Sequence, residues 1–127
     1  NKKNKDKNFI IIDAAMNNLI RPTLYDAYHK IETVKNKKGQ AILVDIVGPI
    51  CETGDFLALN RELVKVLSDD LLAIRTTGAY ASVMRSNYNS RVDALEILIF
   101  NGKSYKIKQI DTIQDIILKE KILDFNS

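Results

Sequence analysis

An Asn-Gly pair between two strand-like runs constrains the fold of this chain more than any other local feature. Asn101 and Gly102 lie between "ALEILIF" (94–100) and "KSYKIKQI" (103–110), which are rich in β-branched and aromatic residues. A two-residue type I′ turn needs positive φ at both central residues, and Asn followed by Gly meets that need. We therefore predict a β-hairpin over these two runs.

Other apolar runs extend this β pattern toward the N-terminus. "FIIID" (9–13) predicts a short strand, and "QAILVDIVG" (40–48) predicts a longer strand that a Gly-Pro pair ends. "LLAIRTTGAYASVM" (71–84) predicts a strand, a break at Gly78, and then extended or helical chain.

The run "DTIQDIILKEKIL" (111–123) predicts a helix, because Thr112 and Asp115 fit a capping box and isoleucines recur at helical spacing. Five or six strands and one good helix favour a mostly β fold, either a barrel or a sandwich, with a peripheral C-terminal helix. We find no internal repeat, so we predict a single domain over residues 1–127.

The bulk composition narrows the class of protein. The 127 residues suffice for one modest domain with a hydrophobic core, and no apolar run approaches the roughly 20 residues that span a bilayer. The basic start leads into only four apolar residues, which is too few for a signal peptide. A single cysteine excludes an internal disulfide framework and fits a reducing, cytoplasmic location. A single histidine, His29, excludes a multi-histidine cluster, and we expect no metal.

The net charge of +3 suggests nucleic acid until its distribution is considered. Residues 1–8 hold four lysines against one aspartate, and the other 15 basic and 15 acidic residues cancel. A face that binds phosphate backbones needs a basic patch on the body of the fold. We therefore expect neither nucleic acid nor a membrane as a partner.

The loop "GPICETGDF" (48–56) holds the only cysteine, Cys51, directly before Glu52. An ordinary thiol, with a pKa of about 8.5, is mostly protonated at neutral pH and can act as a general acid. Glu52 could hold a substrate ammonium. The alternative is that Cys51 is a small buried hydrophobe, as free cysteines often are.

Two other stretches combine groups that bind anions. Arg21 and Tyr25 are spaced to share one side of a helical turn, where a guanidinium and a phenol can grip a carboxylate. "TTGAYASVMRSNYNSR" (76–91) offers the hydroxyls of Tyr80 and Tyr88. The alternatives are a surface arginine, packed tyrosine rings and a polar loop.

Four strings in this order resemble the C-terminal part of the diaminopimelate decarboxylase family, which belongs to the fold-type III pyridoxal phosphate decarboxylases. They are "DAAMNNLIRPTLYDAYH", "VGPICETGDFLA", "DLLAIRTTGAYASVMRSNYNSR" and "ALEILI". The resemblance runs from about Phe9 to Ile117 and implies a β-barrel like the C-terminal domain of alanine racemase, with short helices. The sequence departs from the family's pattern at Thr53 and Arg85, where serine is usual, and at Val92, where proline is common.

The resemblance implies roles for five residues. Cys51 corresponds to the family's proton donor and Glu52 to a substrate-binding acid. Arg21 and Tyr25 lie in an R-P-x-L-Y string whose ends contact the substrate. Tyr80 corresponds to a tyrosine that contacts both the cofactor and the substrate.

The resemblance also implies a reaction, the conversion of meso-diaminopimelate to lysine and carbon dioxide with pyridoxal 5′-phosphate. The cofactor absorbs the electrons that decarboxylation leaves behind. Arg21 and Glu52 suit the carboxylate and the ammonium at the distal end of this substrate. Related ornithine decarboxylases usually carry aspartate after the cysteine, so Glu52 favours diaminopimelate.

The family's N-terminal (β/α)8 barrel, which carries the Schiff-base lysine of the cofactor, cannot fit in 127 residues. We therefore expect the chain to be inactive without that barrel. The resemblance further implies a homodimer in which the Cys-Glu loop reaches the partner's active site. Two alternatives stay open: a fold-type III decarboxylase of the ornithine or arginine type, and a non-catalytic β-barrel interaction module.

Overall fold

A computed structural model describes residues 2–4 and 7–125 of the chain, which divides into two compact units. The described residues of the first unit, Asn1–Arg85, form six strands and two short helices. These are β1 (Lys2–Asn4), β2 (Lys7–Ile11), α1 (Arg21–Tyr25), β3 (Ile31–Thr33), β4 (Ala41–Val47), β5 (Phe56–Val64), β6 (Leu72–Ile74) and α2 (Gly78–Met84). The second unit, Ser86–Ser127, contains β7 (Glu96–Phe100), β8 (Lys103–Lys108) and α3 (Ile113–Ile117).

The described strands form three separate sheets. The largest has the order β1-β2-β4-β5, in which β2 and β4 run parallel and the other neighbours run antiparallel. β3 pairs with β6, and β7 pairs with β8, both antiparallel. The prediction of a mostly β fold with short helices is confirmed. The expected barrel is not closed among the described strands, because no ladder joins one sheet to another.

The core of the first unit lies against β4 and β5. Val44, Ile46 and Leu57 are its largest fully buried side chains. The β-branched run of β4 explains the strand, because such side chains pack well on a pleated surface. Burying β4 and β5 therefore fixes the two ends of the "GPICETGDF" loop that joins them.

Asp45 interrupts the apolar run of β4 and is nevertheless buried. Its Oδ1 accepts a hydrogen bond from the backbone N–H of Asn60 at 2.7 Å, and its Oδ2 lies 2.9 Å from the Lys7 ammonium. Asn60 has a φ of 51°, and the pairing of β4 with β5 shifts register beside Asp45. The carboxylate thus accepts from a backbone N–H at a β-bulge, where a ladder hydrogen bond is lost.

The second unit contains the predicted hairpin. Asn101 and Gly102 have φ values of 48° and 72°, and Phe100 pairs with Lys103 across the turn. Positive φ at both central residues is the signature of a type I′ turn. The hairpin prediction is therefore confirmed.

The C-terminal helix begins as predicted but is shorter than residues 111–123. The Thr112 side chain accepts from the Asp115 N–H, and the Asp115 carboxylate accepts from the Thr112 N–H, so the capping box is confirmed. The helix ends at Ile117, where apolar side chains such as Ile113 stay exposed. Helices in proteins are stabilised mainly by the packing of an apolar face. The apolar face of α3 is mostly exposed, so little packing stabilises a longer helix. None of the helices within residues 2–4 and 7–125 is long and apolar enough to cross a membrane.

Candidate functional site

The "GPICETGDF" loop makes a compact turn between β4 and β5. Its two ends are joined by a hydrogen bond from Gly48 N–H to the Asp55 carbonyl at 3.0 Å. Within it, the N–H groups of Glu52 and Asp55 donate to the carbonyls of Ile50 and Glu52, at 2.9 and 3.0 Å. These backbone bonds hold the loop in one turn and leave its tip to present side chains.

Cys51 lies at that tip as an exposed, free thiol. The alternative that it fills the core is therefore wrong, although its catalytic role stays a prediction. Glu52 is exposed beside it, and its Oε1 accepts from the Gly54 N–H at 3.3 Å. The loop thus presents a thiol and a carboxylate from neighbouring positions.

The Arg21 guanidinium lies over two tyrosine rings. Its guanidinium carbon is 5.6 Å from the centroid of the Tyr25 ring and 4.7 Å from that of the Tyr80 ring. Both distances are within the roughly 6 Å over which a cation is attracted to an aromatic face. Pro22 is buried in the first turn of α1, where its fixed φ suits the start of a helix. The predicted pair of Arg21 and Tyr25 is therefore joined by Tyr80, from the start of α2.

The Cys-Glu loop is attached to the helix that carries Arg21. The Thr23 hydroxyl, in α1, donates a short hydrogen bond to the Gly54 carbonyl. A Cβ atom at Gly54 would lie 2.7 Å from the Thr23 methyl carbon, so only glycine allows this approach. The five predicted site residues thus fall into two groups, a thiol-carboxylate loop and an arginine-tyrosine cluster, and the Thr23 side chain joins the segments that carry them.

Three further features of the first unit carry no strong sequence signal. Asp55 is buried beneath the loop. Arg61 places its guanidinium carbon 3.7 Å from the centroid of the Tyr28 ring. Thr76 has a φ of 59°, which β-branched residues rarely adopt, two residues before Gly78. The one hint in the sequence is a carboxylate directly after Gly54, at the start of a strand, and this residue is Asp55.

The surroundings of His29 and Tyr88 are structural. His29 is buried, and its Nδ1 lies 3.1 Å from the Arg75 carbonyl oxygen. Tyr88 belongs to a tight 3₁₀ turn of the second unit, in which its N–H donates to the Ser86 hydroxyl at 3.3 Å. The geometry therefore gives no support for a chemical role of either residue.

Comparison with known proteins shows the family of this chain. The profile of the pyridoxal-dependent decarboxylases, C-terminal sheet domain, matches residues 1–78. The chain belongs to this family. It is 45% identical over 124 residues to a diaminopimelate decarboxylase of Zymomonas mobilis, covering 98% of this chain and 29% of the relative. It therefore spans less than a third of the length of that relative.

Solved structures agree with this family assignment. The diaminopimelate decarboxylase of M. jannaschii, solved in complex with L-lysine, matches with a TM-score of 0.90 and 36% identity over 96% of this chain and 28% of that one. A lysine/ornithine decarboxylase from Vibrio vulnificus, complexed with cadaverine, matches with a TM-score of 0.61 and 27% identity over 69% of this chain and 24% of that one. The chain is thus more similar to the first enzyme than to the second.

The residues present fit part of a pyridoxal phosphate site. Tyr80 is exposed, and a phenol hydroxyl can donate a hydrogen bond. The guanidinium of Arg21 beside its ring adds a positive charge that suits a phosphate-bearing cofactor. The cofactor contact expected of Tyr80 stays a prediction.

Proposed function

We propose that the chain is the C-terminal domain of a diaminopimelate decarboxylase. Joined to a pyridoxal phosphate-binding (β/α)8 barrel, it would convert meso-2,6-diaminopimelate to L-lysine and carbon dioxide in lysine biosynthesis. The observation that carries the proposal is the joining of the Cys51 loop to the Arg21 helix through Thr23 and Gly54, in a chain 45% identical to a diaminopimelate decarboxylase.

Substrate recognition in this proposal uses opposite charges. Contact with the two tyrosine rings holds the guanidinium of Arg21 in place, and its N–H donors bind a carboxylate. Glu52, exposed on the neighbouring loop, accepts hydrogen bonds from the ammonium of the same end of the substrate. A zwitterionic end group is matched by such a pair, and an end group that carries only an ammonium leaves Arg21 unmatched.

Proton delivery falls to Cys51. Pyridoxal phosphate, when bound, supplies the electron sink that lets carbon dioxide leave. The carbon that loses its carboxylate then takes a proton, and the Cys51 Sγ–H bond breaks to supply it. The resulting Cys51 thiolate takes up a proton again before the next turnover. Tyr25 and Tyr80 keep Arg21 in place during this step.

Two features of the complete enzyme belong to the same proposal. The exposed position of the Cys51 tip supports insertion of the loop into the active site of a second subunit, which makes the enzyme a homodimer. The match to the M. jannaschii enzyme supports an alanine-racemase-type β-barrel around the described sheets. The (β/α)8 barrel, which binds the cofactor, would come from the remaining part of the enzyme.

The test joins this chain to the remaining part of the Zymomonas mobilis relative and measures carbon dioxide release from meso-diaminopimelate. Removal of a general acid by Cys51→Ala lowers kcat by about 10²–10⁴-fold. Thr53→Ser, in the same loop, is the matched control and leaves kcat unchanged. Full activity of Cys51→Ala would show that the thiol is not the proton donor.

Two further measurements separate the alternatives. Assay of the joined enzyme with ornithine and arginine tests the substrate, and a preference for either over diaminopimelate rejects the proposal. Mixing a Cys51→Ala enzyme with one lacking the barrel's cofactor-binding lysine tests the shared site. Two inactive partners regain part of the activity if the loop acts across the dimer, and they stay inactive if it does not.

A further inference from the structure

The carboxylate of Asp55 is buried beneath the Cys-Glu loop, with a residue exposure of 4%. Its Oδ2 accepts a hydrogen bond from the Ile50 N–H at 2.6 Å, and its Oδ1 accepts one from the Met16 N–H at 2.7 Å. Ile50 directly precedes Cys51. Met16 belongs to the segment that leads into α1 and Arg21. One carboxylate is therefore hydrogen-bonded both to the Cys-Glu loop and to the segment that leads into α1.

We propose that Asp55 is a positioning residue, which fixes the Cys51–Glu52 loop relative to the segment that enters α1 through the N–H groups of Ile50 and Met16. This inference rests on the proposed function for its catalytic meaning. Its structural content, that one side chain ties the two segments together, stands on the contacts alone.

The chemistry of the site explains why the residue is an aspartate. A carboxylate offers acceptors on both oxygens, whereas an asparagine offers one acceptor and one donor. Each of the two N–H groups that Asp55 satisfies would otherwise lack this partner, and a buried donor without an acceptor is costly. The Ile50 side chain is also buried, so the residue before the exposed thiol is held by both its backbone and its side chain.

Gly48 is the second part of this arrangement. A Cβ atom at position 48 would lie 2.7 Å from the Asp55 carboxyl carbon, closer than real Cβ contacts come. The carboxylate thus occupies the space that a side chain at Gly48 would fill. Gly48→Ala is therefore a second way to displace the carboxylate, and it leaves the charge of Asp55 in place.

The first test uses the chain itself and needs no catalysis. In Asp55→Asn, one of the two N–H groups loses its acceptor, so amide hydrogen exchange at Ile50 or Met16 becomes about tenfold faster. Gly48→Ala accelerates exchange at the same two amides. Asp69→Asn is the control, because Asp69 is exposed at a φ of 68°, which asparagine tolerates equally well. Unchanged exchange at both amides in a folded Asp55→Asn variant would overturn the proposal.

The second test asks whether Asp55 acts through Cys51. In the enzyme completed with the relative's barrel, Asp55→Asn lowers kcat by about tenfold, and Asp69→Asn leaves it unchanged. In the Cys51→Ala background, Asp55→Asn produces no further loss in kcat, because the group that it positions is already gone. A purely structural residue would lower kcat by the same factor in both backgrounds, and that result would overturn the positioning role.

The outcomes separate this inference from the proposed function. An inactive completed enzyme whose Asp55→Asn variant still exchanges faster at Ile50 or Met16 rejects the decarboxylase proposal and keeps the tie between the two segments. An active completed enzyme in which amide exchange at Ile50 and Met16 is unchanged keeps the decarboxylase proposal and rejects the tie between the two segments. Global unfolding of both Asp55→Asn and Gly48→Ala would assign the carboxylate to general stability and overturn its positioning role.

Discussion

The two units of the chain differ in how their structure is stabilised. The described part of the first unit contains ten buried hydrophobic residues, among them Val44, Ile46 and Leu57. Within residues 86–125, every described residue is exposed or half-buried. The first unit is therefore stabilised by long-range packing, whereas the second is specified by local turn and cap chemistry. A two-stranded hairpin is at best marginally stable alone in water, so the second unit should respond to mutation far less cooperatively.

The largest expected effect tests the packing of the first unit. Leu57→Ala removes a fully buried side chain and should lower the free energy of unfolding by about 2–5 kcal/mol, because it leaves a cavity. Ile99→Ala, in the exposed hairpin, should change it by no more than about 0.5 kcal/mol. Urea denaturation of both variants measures this. Equal losses would show that the two units share one core.

The next effect tests the turn of the second unit. Gly102→Val places a β-branched residue at a φ of 72° and should destabilise the hairpin by roughly 1–2 kcal/mol. Ser104→Val, in the extended backbone of β8, introduces the same side chain without that strain. Amide exchange in β7 and β8 reports the local stability. If both variants behave alike, the positive φ at position 102 does not limit the hairpin.

These two units also show which features the sequence can predict. The hairpin and the capping box depend on residues next to one another, so their chemistry is visible in the sequence. The approach of Tyr80 to Arg21 joins two segments far apart in the chain, and no spacing rule predicts it. Only the family resemblance placed both residues in one site, and it gave no hint of the role of Asp55. The strand count left a barrel or a sandwich open and the resemblance implied a barrel, but strand number alone does not determine which strands pair.

A smaller effect tests the start of α3. Thr112→Ala removes the side-chain acceptor of the capping box and should cost about 1 kcal/mol of local helix stability. Thr77→Ala is a matched control, because Thr77 precedes α2 without a capping hydrogen bond from its side chain. Backbone chemical shifts of residues 113–117 and 78–84 measure the helix populations. Comparable fraying in both helices would mean that the capping box contributes little.

The smallest expected effect concerns acid stability in the first unit. Hydrogen bonds from Lys30 and Arg75 lower the pKa of Glu32 below its ordinary value of 4.5. A carboxyl group whose pKa is lower in the folded state stabilises the fold fully above its unfolded pKa. This contribution should therefore begin to fall near pH 4.5 and disappear as the pH drops through the folded pKa.

Glu32→Gln should remove this part of the acid dependence, whereas Glu62→Gln on the exposed side of β5 should leave it intact. Thermal melts between pH 7 and pH 3 measure the difference, which high salt should reduce because the ion pairs are exposed.

In the second unit the pKa of Asp115 is also lowered, but by hydrogen bonds from Thr112 and without a cation. Protonation of the Asp115 carboxylate should fray α3 at acid pH, with little dependence on salt. An equal salt effect in the two units would show that their acid sensitivity has one electrostatic origin.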